Sequence, residues 1–159
     1  MSWIRKWKKN KKSYNWRYIH KACDKIAEEL YEADIDCIVG LSRGGLIPAV
    51  ILANNLGIRE VFSIGVASYD QMQPGEISVY QNLPINNEQL IQSTKILVVD
   101  DISDKGNTFK HVTKFLREQY TADITTASIF TKPKTAFIPD LFYHQAPDRQ
   151  WIVFPWELG

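Results

Sequence analysis

Cysteine is scarce: Cys23 and Cys37 are the only two in 159 residues. Each lies in an apolar-periodic segment and neither belongs to a CxxC pair. That rules out a disulfide-stapled scaffold and gives no zinc-ligand spacing, so a reduced, cytoplasmic setting is expected. Long apolar runs are missing too. The longest, "LIPAVILA" from Leu46, is interrupted by Pro48 and is far too short to span a bilayer. The basic N-terminus is not followed by an apolar stretch, so no secretory signal is expected. Net charge is only +1, which places no global demand for nucleic acid or an acidic partner. No GxxxxGKS or GxxxxGKT segment exists, which excludes a Walker-type ATPase.

Acids are absent from the first 23 residues. Arg5, Lys6, Lys8, Lys9, Lys11, Lys12, Arg17 and Lys21 precede Asp24, interleaved with Trp3, Trp7 and Trp16. Such a run is read first as a solvated extension whose aromatics pack locally, ahead of a peripheral membrane or nucleic-acid contact. The remaining composition, 45% hydrophobic and 23% charged, suits one globular domain with a sizeable core. The expected division is a flexible basic extension over 1–13 and a single domain over 14–159.

Apolar groups recur at helical spacing over 16–32, through Ile19, Ala22, Cys23, Ile26, Ala27 and Leu30. A second helix is expected over 46–55 with Gly57 as its stop, and a third over 107–119 with Phe109, Val112, Phe115 and Leu116 on one face. Short, nearly continuous apolar runs at 35–41, 60–69, 95–100 and 123–130 read as buried strands. Residues 70–93 read as a long polar excursion, and residues after 131 as a Pro-punctuated tail. Strands of this kind alternating with helices imply an α/β fold, a mostly parallel sheet flanked by helices. In such sheets ligands bind beyond the carboxyl ends of the strands. Three strands end in informative residues: Ser42-Arg43-Gly44-Gly45, Asp100-Asp101, and Thr131-Lys132-Pro133.

Two adjacent carboxylates at a strand end repel each other and lose hydration, so they need a cation or polar ligand groups. A few residues on, Lys105-Gly106-Asn107-Thr108 can form a nest of backbone N–H groups opening a helix, an anion site suited to phosphate. Acids for hydroxyls or Mg²⁺, then a phosphate cradle, fit a ribose 5-phosphate. Helix capping by Asp104 and Asn107 explains part of the segment but not the Asp pair. Response-regulator-like receivers also cluster acids and a Lys-Pro at strand ends. There the acid pair comes at the first strand and the Lys-Pro three or four strands later, whereas here one helix and one strand separate them.

"VVDDISDKGNT" resembles the phosphoribosylpyrophosphate (PRPP) signature of type I phosphoribosyltransferases. "VGLSRGGLIPAVILANNLGI", "ASYD", "IFTKP" and "WIVFPWELG" resemble, in order, the xanthine-guanine and hypoxanthine branch of that family. The likeness runs from about residue 14 onward. It implies transfer of a phosphoribosyl group from PRPP to a 6-oxopurine, in an enzyme of purine salvage with Mg²⁺ as cofactor. It implies ribose and metal contacts at Asp100 and Asp101, proton exchange with purine N7 at Asp104, and a 5′-phosphate loop over Asp104, Lys105, Gly106, Asn107 and Thr108. Ser42, Arg43 and Gly44 would form the pyrophosphate loop, with a cis peptide between Ser42 and Arg43. Lys132 would donate to the 6-oxo group, Trp151 would stack on the purine, and Ile152 would present backbone to its edge. Glu157 would stand near a second metal, although relatives usually carry Asp there. The 70–93 excursion would act as a lid and 133–159 as a base-binding hood. A homodimer or homotetramer is expected, and no nucleic-acid partner.

The sequence departs from the family pattern in three places. Lys105 replaces a usual Thr. Asn107 replaces a common Gly, and Asn tolerates positive φ better than most residues. The stretch from Asp70 to Glu88 contains neither Lys nor Arg, although relatives place a basic residue there. A non-catalytic PRPP- or nucleotide-binding regulator, or an enzyme for another base, therefore stays open beside the oxopurine reading.

Overall fold

A computed structural model describes residues 10–67, 77–84 and 86–157. The central feature is a six-stranded sheet built from β2 (Cys37–Ser42), β3 (Val61–Ala67), β4 (Ser78–Gln81), β5 (Lys95–Ser103), β6 (Asp123–Thr131) and β7 (Leu141–Gln145), in the order β4-β3-β2-β5-β6-β7. All neighbours run parallel except β4, which pairs antiparallel with β3. A separate parallel pair joins β1 (Lys11–Ser13) to β8 (Trp151–Val153). The described helices are α1 (Trp16–Leu30), α2 (Leu46–Leu56), the short α3 (Glu88–Gln92) and α4 (Asn107–Gln119). None of them is long and apolar enough to cross a membrane.

Strand periodicity divides the core in two. Along β5, Leu97 and Val99 join the cluster formed with α1 and α2, which includes Ile19, Cys23, Ala49 and Leu52. The alternate residues Ile96 and Val98 join Phe109, Val112 and Leu116 of α4 on the other face. Both faces are thus covered, which is why the central strands carry apolar residues at every position. Helix α1 starts where the Asn15 side chain accepts the Tyr18 N–H at 2.9 Å, a cap that satisfies an otherwise orphaned donor. Helix α2 tolerates Pro48 because it sits in the first turn, where no intrahelical N–H is needed. It stops at Gly57, left-handed at φ 66°, whose N–H returns to Ala53 and Asn54 carbonyls.

Four expectations change. The excursion at 70–93 is not all loop: it contains β4 and α3, while 70–76 and 85 lie outside the described residues. The tail supplies two strands, and β7 extends the main sheet, so the expected 133–159 hood is partly sheet. Residues 11–13 form a strand hydrogen-bonded to β8 and so belong to the folded domain. Strand β5 runs on through the Asp pair to Ser103. Its ladder with β6 persists to Ser103↔Thr131, whereas pairing with β2 stops at Gly40↔Val99. Asp100 and Asp101 therefore lie within a strand, with one edge freed where β2 turns away.

Candidate active site

That freed edge faces the loop following β2. The Ser42–Arg43 peptide is cis, as the resemblance implies. A methyl group at Gly44 would overlap the Asp101 carboxylate, and one at Gly45 would come within 2.5 Å of the Val99 carbonyl and 2.9 Å of Asp100 Cα. The loop therefore lies directly against the acid pair, at a distance only glycine allows. Arg43 is exposed there.

The acids are held without a cationic partner within 4 Å: among the described residues the one ion pair at that distance is Lys25–Glu28, on the surface. Asp100 Oδ1 accepts the Asp101 N–H at 2.8 Å. Burial drives the Asp100 carboxyl well above the ordinary range, and the Asp101 charge adds to this. Burial likewise pushes Asp101 up to about 6, with Glu157 a smaller contributor. The folded state thus binds protons more tightly than the unfolded chain, so the pair's contribution to stability falls as pH rises from about 4 through about 6. Asp101→Asn is expected to raise the melting temperature of the unliganded, metal-free protein by a few degrees at about pH 8, roughly 1–3 kcal/mol. The gain should shrink toward zero near pH 4; thermal unfolding of both proteins across that range checks it.

Such a pair suits a divalent cation. Glu157 does not complete a cage: its Oε2 accepts the Phe154 N–H at 3.1 Å, and no group of three His, Cys, Asp or Glu among the described residues could hold a metal. Glu157 thus has one carboxylate oxygen on backbone, while its charge is still felt at Asp101. Two carboxylates with the remaining positions left to water and phosphate oxygens is the usual arrangement for Mg²⁺.

Beyond β5 the chain turns through Asp104 and Lys105, both exposed, into α4. The left-handed residue is Gly106, at φ 88°; Asn107 is simply the first helical residue, so the predicted tolerance of Asn for positive φ is not used. A side chain at Gly106 would meet Phe137 N at 2.5 Å and Thr135 Oγ1 at 2.7 Å. The same segment braces the turn: Ala136 N donates to the Lys105 carbonyl at 2.9 Å, and Ser103 Oγ donates to the Phe137 carbonyl at 2.6 Å. Residues 104–108 thus present helix-start amides on a rigid backing, with Thr108 half-buried beside them, as an anion cradle requires. The bracing by Thr135 and Phe137 is carried largely by backbone groups and gave no sequence signal.

Lys132 follows β6 and is 4% exposed. Its ammonium donates to the Pro147 carbonyl at 2.7 Å and to the Gln150 carbonyl. Burial lowers its pKa, while the Asp104 and Asp148 charges oppose the shift. An ammonium has three donors; two are engaged and one remains. Trp151, about half exposed, and buried Ile152 follow on β8. The three predicted clusters therefore meet at one edge of the sheet: the Ser42–Gly45 loop touches the acid pair, and Asp104 lies close enough to Lys132 for their charges to interact.

The phosphoribosyl transferase domain family matches residues 10–159. A xanthine-guanine phosphoribosyltransferase of Chromohalobacter salexigens is 29% identical over 145 residues, 91% of this chain and 83% of that protein. The crystal structure of a purine phosphoribosyltransferase from Pyrococcus horikoshii superposes with a TM-score of 0.82 at 31% identity, over 94% of this chain and 96% of that one. A Neisseria gonorrhoeae hypothetical protein solved with bound ppGpp gives 0.80 at 26%, over 94% and 90%. With the acid pair, the glycine loop and the 104–108 turn placed as described, the chain belongs to the phosphoribosyltransferase family, alongside its purine-handling members.

Proposed function

We propose that the protein transfers the 5-phosphoribosyl group of PRPP to N9 of a 6-oxopurine, releasing pyrophosphate. The observation that carries this is Lys132, a buried ammonium with two of its three donors held by carbonyls. The remaining N–H can donate to an oxo group and cannot accept from the 6-amino group of adenine.

In this reading Asp100 and Asp101 hold the ribose hydroxyls, and the 104–108 turn holds the 5′-phosphate through backbone amides and Thr108. Ser42, Arg43 and Gly44 hold the pyrophosphate, with the Arg43 guanidinium offsetting its charge as the C1′–O bond loosens. Mg²⁺, where bound by Asp100 and Asp101, would neutralise charge on the departing pyrophosphate. Asp104, at the entrance between phosphate cradle and Lys132, exchanges a proton with purine N7. Trp151 covers the base and Ile152 lines its edge. Asp104→Asn is expected to lower turnover about 10²–10⁴-fold while leaving PRPP affinity within a few-fold; equal loss of both would remove the acid–base role.

The deciding assay is pyrophosphate release from PRPP and Mg²⁺ with guanine, xanthine, hypoxanthine, adenine or uracil supplied singly. Turnover with one or more oxopurines and none with adenine is the expected result. A second reading, a nucleotide-binding regulator, is favoured by the ppGpp in the Neisseria gonorrhoeae neighbour. A guanine nucleotide of that kind offers an oxo group to Lys132 and phosphates to the two loops. Silence with every base, together with tight guanine-nucleotide binding, would select it.

A further inference from the structure

Outside the site just described lies a second concave feature, a cavity of about 360 Å³ lined by Asn10, Lys11, Lys12, Pro147, Arg149 and Gln150. It sits at the seam where β1 meets β8 and the 147–150 turn. Half its wall is cationic and none of it is acidic. Among the described residues, neither lysine nor Arg149 has a carboxylate within 4 Å. Asp148, in the same turn, is engaged elsewhere, where its Oδ1 accepts the Lys134 N–H at 3.0 Å. At the seam Trp151 N donates to the Asn10 carbonyl at 2.9 Å and Gln150 N to the Pro147 carbonyl at 3.0 Å. Lys12 Nζ lies 5.2 Å from the Tyr14 ring centroid, and the positive field of the three cationic residues that line the concavity favours an anion. Lysine ammoniums act as mobile point charges and arginine as a planar fork, the pairing suited to phosphate oxygens. A site at the small end of ligand cavities, lined by cationic and amide side chains and one proline, suits a hydrated chain of phosphates better than a ring system.

We propose that this cavity is a second anion site, which takes a polyphosphate chain, free or as the tail of a nucleotide. It is coupled to the base subsite through its own wall. Pro147 and Gln150, which line it, are the residues whose carbonyls hold the Lys132 ammonium. A ligand that shifts the turn changes where the third donor of Lys132 points. This coupling rests on the purine reading of Lys132; the binding itself does not.

The test is calorimetric titration of the full chain with Mg²⁺-free tripolyphosphate. The wild-type protein is expected to bind at two sites. Arg43→Ala should remove one, and the paired reversal Lys12→Glu with Arg149→Glu should weaken the other at least about tenfold. Arg149→Ala alone, with a smaller loss, covers the case in which the double variant fails to fold. If Arg43→Ala abolishes all binding, or if the reversals leave the titration unchanged, the second site does not exist. If Arg43→Ala changes nothing but the reversals remove binding, the cavity stands and the pyrophosphate role of Arg43 fails. Repeating the titration with ATP and GTP separates the sources: affinity equal to tripolyphosphate assigns the chain alone, and tighter binding assigns a nucleotide. At saturating PRPP, tripolyphosphate is expected to change KM for the base several-fold in the wild type and not in the reversal variant. An unchanged KM in a protein shown to bind at the cavity would overturn the coupling.

Discussion

Replacing Lys132 with methionine is expected to lower kcat/KM for the preferred oxopurine about 10²–10⁴-fold, the scale of losing a buried donor that a polar substrate group relies on. The geometry makes the ammonium, not merely the amine, necessary. A neutral amine has two N–H bonds, and both would be taken by the Pro147 and Gln150 carbonyls. Its lone pair would then face the oxo group. Methionine fills similar volume but also strands those two carbonyls, so about 2–4 kcal/mol of stability should go with the activity. Denaturant unfolding separates the two losses. Arginine keeps a charge at this position but not the compact three-donor head, so Lys132→Arg should recover stability better than turnover. An oxopurine kcat/KM within threefold of wild type for Lys132→Met would dismiss the lysine from base recognition.

Gly44→Ala is expected to cost at least about 10²-fold in kcat with little loss of fold. The added methyl overlaps the Asp101 carboxylate, which is the end of a side chain and can swing aside. A displacement of an ångström in a positioning group is enough for a loss of this size. Gly45→Ala is the informative neighbour. Its methyl meets the Val99 carbonyl at 2.5 Å and the Leu41 carbonyl at 2.7 Å, all backbone in a sheet that cannot yield. That variant should lose about 1–3 kcal/mol or fail to accumulate. Two adjacent glycines therefore predict opposite outcomes: a folded, inactive protein from one and an unstable protein from the other. Melting temperature and kcat measured together on both decide it. If Gly44→Ala is as unstable as Gly45→Ala, the loop braces the sheet and its closeness to the acids carries no catalytic meaning.

Much of the sheet was readable because its central strands bury both faces. Ile96 to Val99 and Cys37 to Leu41 have no polar interruption, and α1 and α4 show their buried faces at 3.6-residue spacing. Elements defined by their partners were not readable. β4 presents only Ser78 to Gln81; its place is fixed by an irregular register near Gly65 and by the Tyr80 ring lying against that glycine. β1 and β8 are three residues each, too short for a pattern, and exist as a pair. The site divides the same way. The Asp pair and Lys132 announce themselves, because charge beside an apolar strand needs an explanation. The carbonyl clamp on Lys132 does not, because every residue has a carbonyl and only the path of the chain decides which ones converge. The backbone contact of Glu157, whose carboxylate accepts the Phe154 N–H, was equally unannounced.

The β1–β8 pairing has a further consequence for how the molecule breathes. Three residues near one end are zipped to three near the other, so closing the ladder requires almost the entire chain to be in place, and opening it disturbs little else. Contacts of such long sequence separation cost the most loop entropy to make, and a three-residue ladder holds few bonds to resist fraying. In hydrogen–deuterium exchange, the β8 amides of Trp151 to Val153 should therefore trade their protons sooner than those of β2 and β5. The strand that would cover the base is then released more readily than the central sheet, a built-in door whose latch is the Lys11–Ser13 strand.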